Sequence, residues 1–301
     1  MTIGDRVGYA HGYNCSTMRF VKMHGTGNDF VMIDGRALPE RDWGKVAERM
    51  CDRHFGIGAD GLILMASSKL ADLRMRMWNP DGSEAEMCGN GIRCFTKLAL
   101  EEGIVSRGNE TFSAETGAGV LELRPQWDGD RVRAVRVNMG APIFLPKDIP
   151  VAAPAAEDGW VHDYLLFLDG LTLAIACVSM GNPHAVYFTD EEPDGFALAE
   201  IGPKVENHVF FPRRVNFHVA QVLDRGRIKM RTWERGAGIT LACGTGACAT
   251  AVAANRLGLT DDTIEMQVPG GALTIHWPGT GDVLMTGPAE SVFAGDWAEP
   301  E

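Results

Sequence analysis

The chain has 301 residues, 45% hydrophobic and 23% charged, ordinary values for a folded protein with room for two domains of common size. Its net charge is −12, and Lys or Arg never gather into a run, which argues against nucleic acid or an anionic membrane surface as the principal partner. No apolar run approaches the ~18 residues of a membrane span, and the first 17 residues, MTIGDRVGYAHGYNCST, lack the basic end and apolar stretch of a secretory signal.

Residues 1–17 are therefore expected to be a short extension, with patterned sequence beginning at Met18. Strands are predicted at 19–23 (RFVKM) and 30–34 (FVMID), where apolar and polar residues alternate. A helix is predicted over 39–55, with Pro39 near its start and Gly56 as its stop. Strands at 61–66 (GLILMA) and 73–78 (LRMRMW) lead to a Gly-containing loop and a helix over 89–102, capped by Gly103. A strand at 135–139 precedes 145–156 (LPKDIPVAAPAA), which has linker composition. Strands follow at 173–180, 185–189, 215–223 and 228–233, then a helix over 244–257 capped by Gly258. Strands dominate and a few helices interrupt them, so the class is α+β.

The two halves carry a weak internal repeat. Trp78-Asn79 precedes Cys88 by ten and nine residues, and Trp233-Glu234 stands in the same relation to Cys243. Cys88-Gly89-Asn90-Gly91 matches Cys243-Gly244-Thr245-Gly246 at an offset of 155 (88 to 243). Gly27-Asn28 and Gly181-Asn182 repeat at 154 (27 to 181). Two homologous domains facing each other are expected, joined near 141–156.

In Cys-Gly-x-Gly followed by helix, the thiol lies where unpaired backbone N–H groups and the helix dipole favour negative charge. That setting is expected to lower the thiol pKa. The free N–H groups can hold a carboxylate, and glycine lets the backbone come close to it. One such unit alone is equally compatible with an inert buried thiol. Two at matched positions would place two thiols and two anion-binding helix ends around one cleft. That arrangement suits inversion at a carbon alpha to a carboxylate, one thiolate removing a proton from one face while the other thiol delivers one to the opposite face.

The other cysteines read differently. Seven in a chain without a signal (15, 51, 88, 94, 177, 243, 248) suggest reduced cytoplasmic thiols. Spacings of six and five around Cys94 and Cys248 are not those of a zinc knuckle, and no metal is expected. Cys51, Cys94, Cys177 and Cys248 read as core filler.

The blocks HGTGNDF (24–30), FGIGADG (55–61), WNPDGSEAEMCGNGIRC (78–94), SMGNPHAV (179–186), RRVNF (213–217) and WERGAGITLACGTGAC (233–248) together resemble diaminopimelate epimerase, in order from about Met18 to near the C-terminus. The resemblance implies a cofactor-independent enzyme interconverting LL- and meso-diaminopimelate, in lysine and cell-wall precursor synthesis. It implies two strand-rich barrel-like domains, each around a central helix, over 18–142 (with 287–301 returning to it) and 143–286. The active site would lie in the cleft between them. A cytoplasmic homodimer acting on a small molecule is implied, with no nucleic acid or membrane partner.

Carried over by residue, the resemblance makes Cys88 and Cys243 the acid–base pair, tuned by His184 and Glu234. Substrate contacts fall to Asn28, Asn79, Gly89, Asn90, Asn182, Asn216, Glu234, Arg235, Gly244 and Thr245, with the amides after each cysteine holding the reacting carboxylate. Taken singly, Asn28 and Asn182 are as readily turn formers, Glu234-Arg235 a solvated pair, and His184 a hydrogen-bonded loop residue. Rival readings are a proline or hydroxyproline racemase on the same fold, and a thiol–disulfide redox protein using Cys88 and Cys243. A phenazine-biosynthesis-type isomerase is expected to lack the two cysteines.

Overall fold

The computed structural model describes residues 17–107, 110–152, 154 and 156–298; the expected extension, apart from Thr17, lies outside the described residues. β1 (Thr17–Gly25) and β2 (Asn28–Asp34) form an antiparallel pair. α1 (Trp43–Cys51) then carries the chain to β3 (Gly61–Ala66), parallel to β2. β4 (Leu73–Trp78) returns antiparallel, followed by the short β5 (Glu84–Ala85) and α2 (Gly89–Glu101). β6 (Phe112–Thr116) lies parallel to β4, and β7 (Gly119–Asp128) and β8 (Arg131–Asn138) complete the set.

The second half repeats this pattern element by element. β9 (Tyr164–Leu168) pairs with β10 (Leu171–Ser179), which pairs antiparallel with β11 (Pro183–Phe188). α3 (Leu198–Glu206) leads to β12 (Asn216–Asp224), parallel to β11, and β13 (Arg227–Glu234) returns antiparallel. Then come the short β14 (Gly238–Thr240), α4 (Gly244–Arg256), β15 (Thr263–Val268) parallel to β13, β16 (Gly271–His276) and β17 (Leu284–Gly287). β17 pairs with β8, joining the halves, and β18 (Glu290–Ala298) pairs with β1. The fold is α+β: two strand-rich, barrel-like halves, each around a helix.

Burial explains the arrangement. Ile92, Cys94, Phe95 and Ala99 of α2 are fully enclosed, as a helix apolar on most sides must be. α4 is built largely of small residues, with Ala247, Cys248, Ala249, Val252, Ala253 and Ala254 all inaccessible. Both helices belong to one continuous core. Each large side chain so buried contributes about 1.5–3 kcal/mol. Ile92→Ala would cost about 2–5 kcal/mol by leaving a cavity.

Both helices end alike. Gly103 and Gly258 have φ of +68° and +73°, and the next amide reaches back to Ala99 O and Ala254 O respectively. These are left-handed caps that a side chain would strain.

Two segments differ from the sequence reading. The helix predicted over 39–55 is confined to Trp43–Cys51, because Asp42 caps Lys45 N while Asp52 Oδ1 takes the amides of His54 and Phe55 into a turn. In the linker-like stretch the described residues Ile149 and Val151 are buried with the β10–β12 core, and Phe144 just before it lies edge-on to Trp160.

Candidate active site

Cys88 and Cys243 are the N-cap residues of α2 and α4, both in extended backbone conformation. The sequence folds this way because each cysteine is followed by a glycine at the first helical position, free of side-chain bulk. The helix ends meet: a Cβ on Gly244 would lie 3.8 Å from Gly89 Cα. Met285 of β17 packs under both turns; a Cβ would come within 3.0 Å of it at Gly89 and 3.3 Å at Gly244.

A cleft of about 1370 Å3 opens over this junction. It brings together Asn28, Asn79, Cys88, Gly89, Asn90, Asn182, Glu234, Arg235, Cys243, Gly244 and Thr245. His184 and Asn216 do not line it, lying buried behind the wall. Asn216 is committed to backbone: Nδ2 donates to Pro183 O at 2.9 Å and Oδ1 accepts from Arg235 N at 3.0 Å. It therefore holds the end of β13, and with it Arg235. Asn79 sits in the β4–β5 turn, bonded to Ser83 Oγ at 2.9 Å, and Arg235 Nη1 donates to Arg213 O at 3.0 Å.

The Cys88 thiol lies 3.6 Å from Asn28 Oδ1 and 3.5 Å from the donating Gly91 amide. Asn28 Oδ1 also accepts from Asn90 Nδ2 at 3.3 Å, and Asn90 Nδ2 reaches across to Ala242 O at 3.2 Å. Behind Asn28 stands a charged cluster absent from the sequence reading. Asn28 Nδ2 donates to Asp60 Oδ2 at 2.8 Å, Arg53 bridges Asp29 and Asp60 at 2.8 and 2.7 Å, and Lys22 meets Asp29 at 2.6 Å. Although Asp29 is partly desolvated, its bonds to Arg53, Lys22 and Asp60 prevail and lower its pKa to about 2.

Cys243 faces a carboxylate and a hydroxyl. Glu234 is its hydrogen-bond neighbour, held by Thr240 Oγ1 at 2.6 Å; Thr245 Oγ1 lies 3.6 Å from the sulfur. Burial pushes the Glu234 carboxyl pKa up against the pull of Thr240 and Cys243.

Burial likewise raises both thiols; the Glu234 charge adds to the rise at each, and at Cys243, the more strongly raised, Glu234 is also a hydrogen-bond neighbour. The sequence reading expected lowered thiols. The helix-end donors do pull downward, through Gly91 and Asn90 at Cys88 and Gly246 at Cys243, but desolvation outweighs them. Cys51, Cys94 and Cys248 are buried with pKa values raised to about 12, and Cys177 is raised by burial too.

His184 is fully buried, its Nε2 2.8 Å from Asn182 Oδ1 and its Nδ1 2.9 Å from His218 Nε2. Asn182 Nδ2 donates to Thr245 Oγ1 at 3.3 Å. Sequence reasoning missed His218 and also Arg93, a fully enclosed guanidinium on α2. Arg93 donates to Pro288 O, Gly89 O and Thr26 Oγ1 at 3.0, 2.9 and 3.1 Å. A histidine at an inward position of VNFHVAQVL, and an arginine inside an otherwise buried helix, were the available signals. Among the described residues no group of three or more His, Cys, Asp or Glu is arranged to hold a metal ion.

Chemically, the arrangement offers two thiols on converging helix ends, amides free to bind a carboxylate, and ionic groups further out on the rim. Solved structures share this architecture. A phenazine biosynthesis protein of the PhzF family from Bacillus anthracis superposes with a TM-score of 0.71, covering 94% of this chain and all of that one at 19% identity. A hydroxyproline epimerase from Agrobacterium vitis gives 0.68, covering 94% and 92% at 16% identity. At such identities the likeness establishes fold alone. The diaminopimelate epimerase family model matches residues 20–145 and 176–292. The protein named diaminopimelate epimerase from Moorella thermoacetica is 49% identical over 284 residues, 93% of this chain and 99% of its own. The chain belongs to the diaminopimelate epimerase family.

Proposed function

We propose that the protein interconverts LL- and meso-diaminopimelate without a cofactor, Cys88 and Cys243 serving as the acid–base pair. The observation that carries this reading is the meeting of two Cys-capped helix ends at the floor of one cleft. The amides of Gly89-Asn90 and Gly244-Thr245 would hold the carboxylate on the reacting carbon and stabilise charge building on its oxygens as the proton leaves. One thiolate removes the α-proton and the opposite thiol protonates the other face; the roles exchange with direction.

Raised thiol pKa values fit this work. An α C–H is a weak acid, and a desolvated thiolate is a stronger base than a hydrated one, at the cost of a smaller thiolate fraction at neutral pH. Glu234 is placed to accept the Cys243 proton. Asn28 and Asn182 would fix the substrate at the reacting end, and Asn79, Glu234 and Arg235 would pair the distal amino-acid group. Asn216 contributes by fixing the Arg235 backbone, and His184 by orienting Asn182. We infer a role in lysine and peptidoglycan precursor synthesis in the cytoplasm, and a homodimer of two-domain subunits (18–142 with 287–301, and 143–286). β18 returning to β1 supports that division.

The test is a stereochemical assay of purified, reduced protein in deuterated water, with LL-diaminopimelate, L-proline and hydroxyproline offered separately. The expected result is inversion of diaminopimelate alone, with deuterium at the inverted α-carbon. Turnover of L-proline instead would move the protein to the racemase reading, and inversion without deuterium would sink the two-base mechanism.

A further inference from the structure

We propose that His218, backed by Thr232, is a positioning residue for the thiol of Cys243, acting through His184, Asn182 and Thr245. The proposal rests on Cys243 being an acid–base group. The groups form one unbroken chain. Thr232 Oγ1 lies 3.0 Å from His218 Nδ1, and His218 Nε2 lies 2.9 Å from His184 Nδ1. His184 Nε2 lies 2.8 Å from Asn182 Oδ1, Asn182 Nδ2 lies 3.3 Å from Thr245 Oγ1, and Thr245 Oγ1 lies 3.6 Å from Cys243 Sγ.

The polarity of the chain is fixed at its far end. Thr232 is buried, and among the described residues its hydroxyl has one side-chain partner, His218 Nδ1. Its single proton therefore goes to that nitrogen, since a buried donor left unpaired is costly. A neutral His218 then carries its hydrogen on Nε2 and donates to His184 Nδ1. His184 in turn carries its hydrogen on Nε2 and donates to Asn182 Oδ1. The amide orientation this demands leaves Asn182 Nδ2 to donate to Thr245 Oγ1, so the Thr245 proton is free to point at sulfur. Every donor in the series is aimed toward Cys243, and a run of aligned hydrogen bonds in a dry interior strengthens its members.

Two further observations agree. Both imidazoles are buried, which holds His184 far below the ordinary histidine value and His218 at about 3, so both are neutral as the chain requires. The His218 ring also presses on the first turn of α4: a Cβ on Gly246 would sit 2.3 Å from its Cε1. The charged groups facing this network are Glu234, from β13 onto Cys243, and Arg235, onto His184; they are constant across the variants below.

The consequence is a sulfur served on two sides. Glu234 can accept the thiol proton, while Thr245 can donate to the thiolate left behind. Without His218 the imidazole of His184 is free to take its other tautomer, Asn182 can turn, and Thr245 loses the partner that keeps its proton on sulfur.

The test measures the pH dependence of iodoacetamide alkylation at Cys243 in a Cys88→Ala background, followed by mass spectrometry of the peptide, because only the thiolate reacts. His218→Leu should raise the midpoint by about one unit, making alkylation about tenfold slower at a fixed pH below it. Thr232→Val, nearly isosteric, should move it the same way by about threefold in rate, or about half a unit. His218→Gln keeps an N–H for His184 and an oxygen for Thr232, and should return the midpoint to that of the parent. Equal shifts for His218→Leu and His218→Gln, or none with His218→Leu and Thr232→Val, would overturn the proposal. If His218→Leu does not fold, the Thr232→Val shift decides. Alkylation needs no substrate, so failure to turn over diaminopimelate would count against the proposed reaction and leave this readout intact.

Discussion

Behind Cys88, Asn28 hangs from Asp60, and Asp60 and Asp29 share Arg53, with Lys22 on Asp29. Behind Cys243, Thr245 is held through Asn182, His184, His218 and Thr232, with no ion pair between them. The backbone beneath is the same in both places: an extended N-cap cysteine, a glycine and a buried helix. Duplication thus kept the element that sets the thiol at a helix end. The side chains that orient its neighbours diverged into a charged support on one side and a neutral one on the other. The charged support survives until a carboxylate takes up a proton at low pH but weakens with salt; a neutral relay is little affected by salt but fails once an imidazole is protonated.

The largest expected effect treats the two sides alike. Cys88→Ala and Cys243→Ala should each lower the epimerisation rate by about 10^4-fold, the upper range for losing a general acid or base. A stereochemical assay in which one variant kept near-normal turnover would break the equivalence of the two thiols. Next is Asn28→Leu, which removes the group between Cys88 and the charged cluster and leaves Asp60 with Arg53 and the Asp29 amide. It should cost about 10^2-fold in kcat/KM, against about tenfold for Thr245→Val beside the neutral relay.

Acid should separate the two supports. The folded pKa of His218, about 3, lies below its unfolded value of 6.5, so below pH 6.5 the unfolded chain takes up a proton that the folded protein refuses. Its contribution is complete above that pH and falls by about 1.4 kcal/mol per pH unit on acidification, with His184 adding in the same sense. Asp29, lowered from 3.8 to about 2, keeps its contribution down to about pH 4 and loses it as pH falls through 2. Urea unfolding at pH 7, 6 and 5 should show a flatter decline for His218→Gln; an unchanged slope would mean the ring does not stay neutral. The smallest effect is salt. Arg53 is 55% exposed, so Arg53→Met should cost less than about 1 kcal/mol of stability, a difference that disappears at 1 M NaCl.

Periodicity made the framework legible where strands alternate or run apolar: each of the nine segments predicted from sequence overlaps one of β1 to β4, β8 or β10 to β13. α2 and α4 end within a residue of expectation because glycines bound them on both sides. β7 was not found, with Pro125 and charges along GVLELRPQWD, nor was α3, which contains Gly202 and Pro203 and is held by packing on Trp233. Within the cleft, cysteines and asparagines announce themselves by their glycine neighbours. His218 and Thr232 do not, since they meet only as cross-strand partners on β12 and β13. Asp60 gains meaning only because β3 lies parallel to β2 and sets it beside Asp29. The direction of the thiol shifts was beyond sequence for a similar reason: a helix end can be read locally, whereas the depth of burial is set by strands far along the chain.

The ladder between β8 and β17, running from Asn138–Leu284 to Val135–Gly287, is the backbone seam between the halves, and Met285 on it touches both glycine turns. A rotation of one half against the other would have this seam as its axis, as book covers turn about a spine. Displacement in such a rotation grows with distance from the axis. The glycine turns that follow the two cysteines lie against Met285 on this axis and would move least, whereas Asn79 and Arg235 would move more. On the proposed reading, a long substrate would then enter and leave at its far end while the paired helix ends at the spine stayed in place.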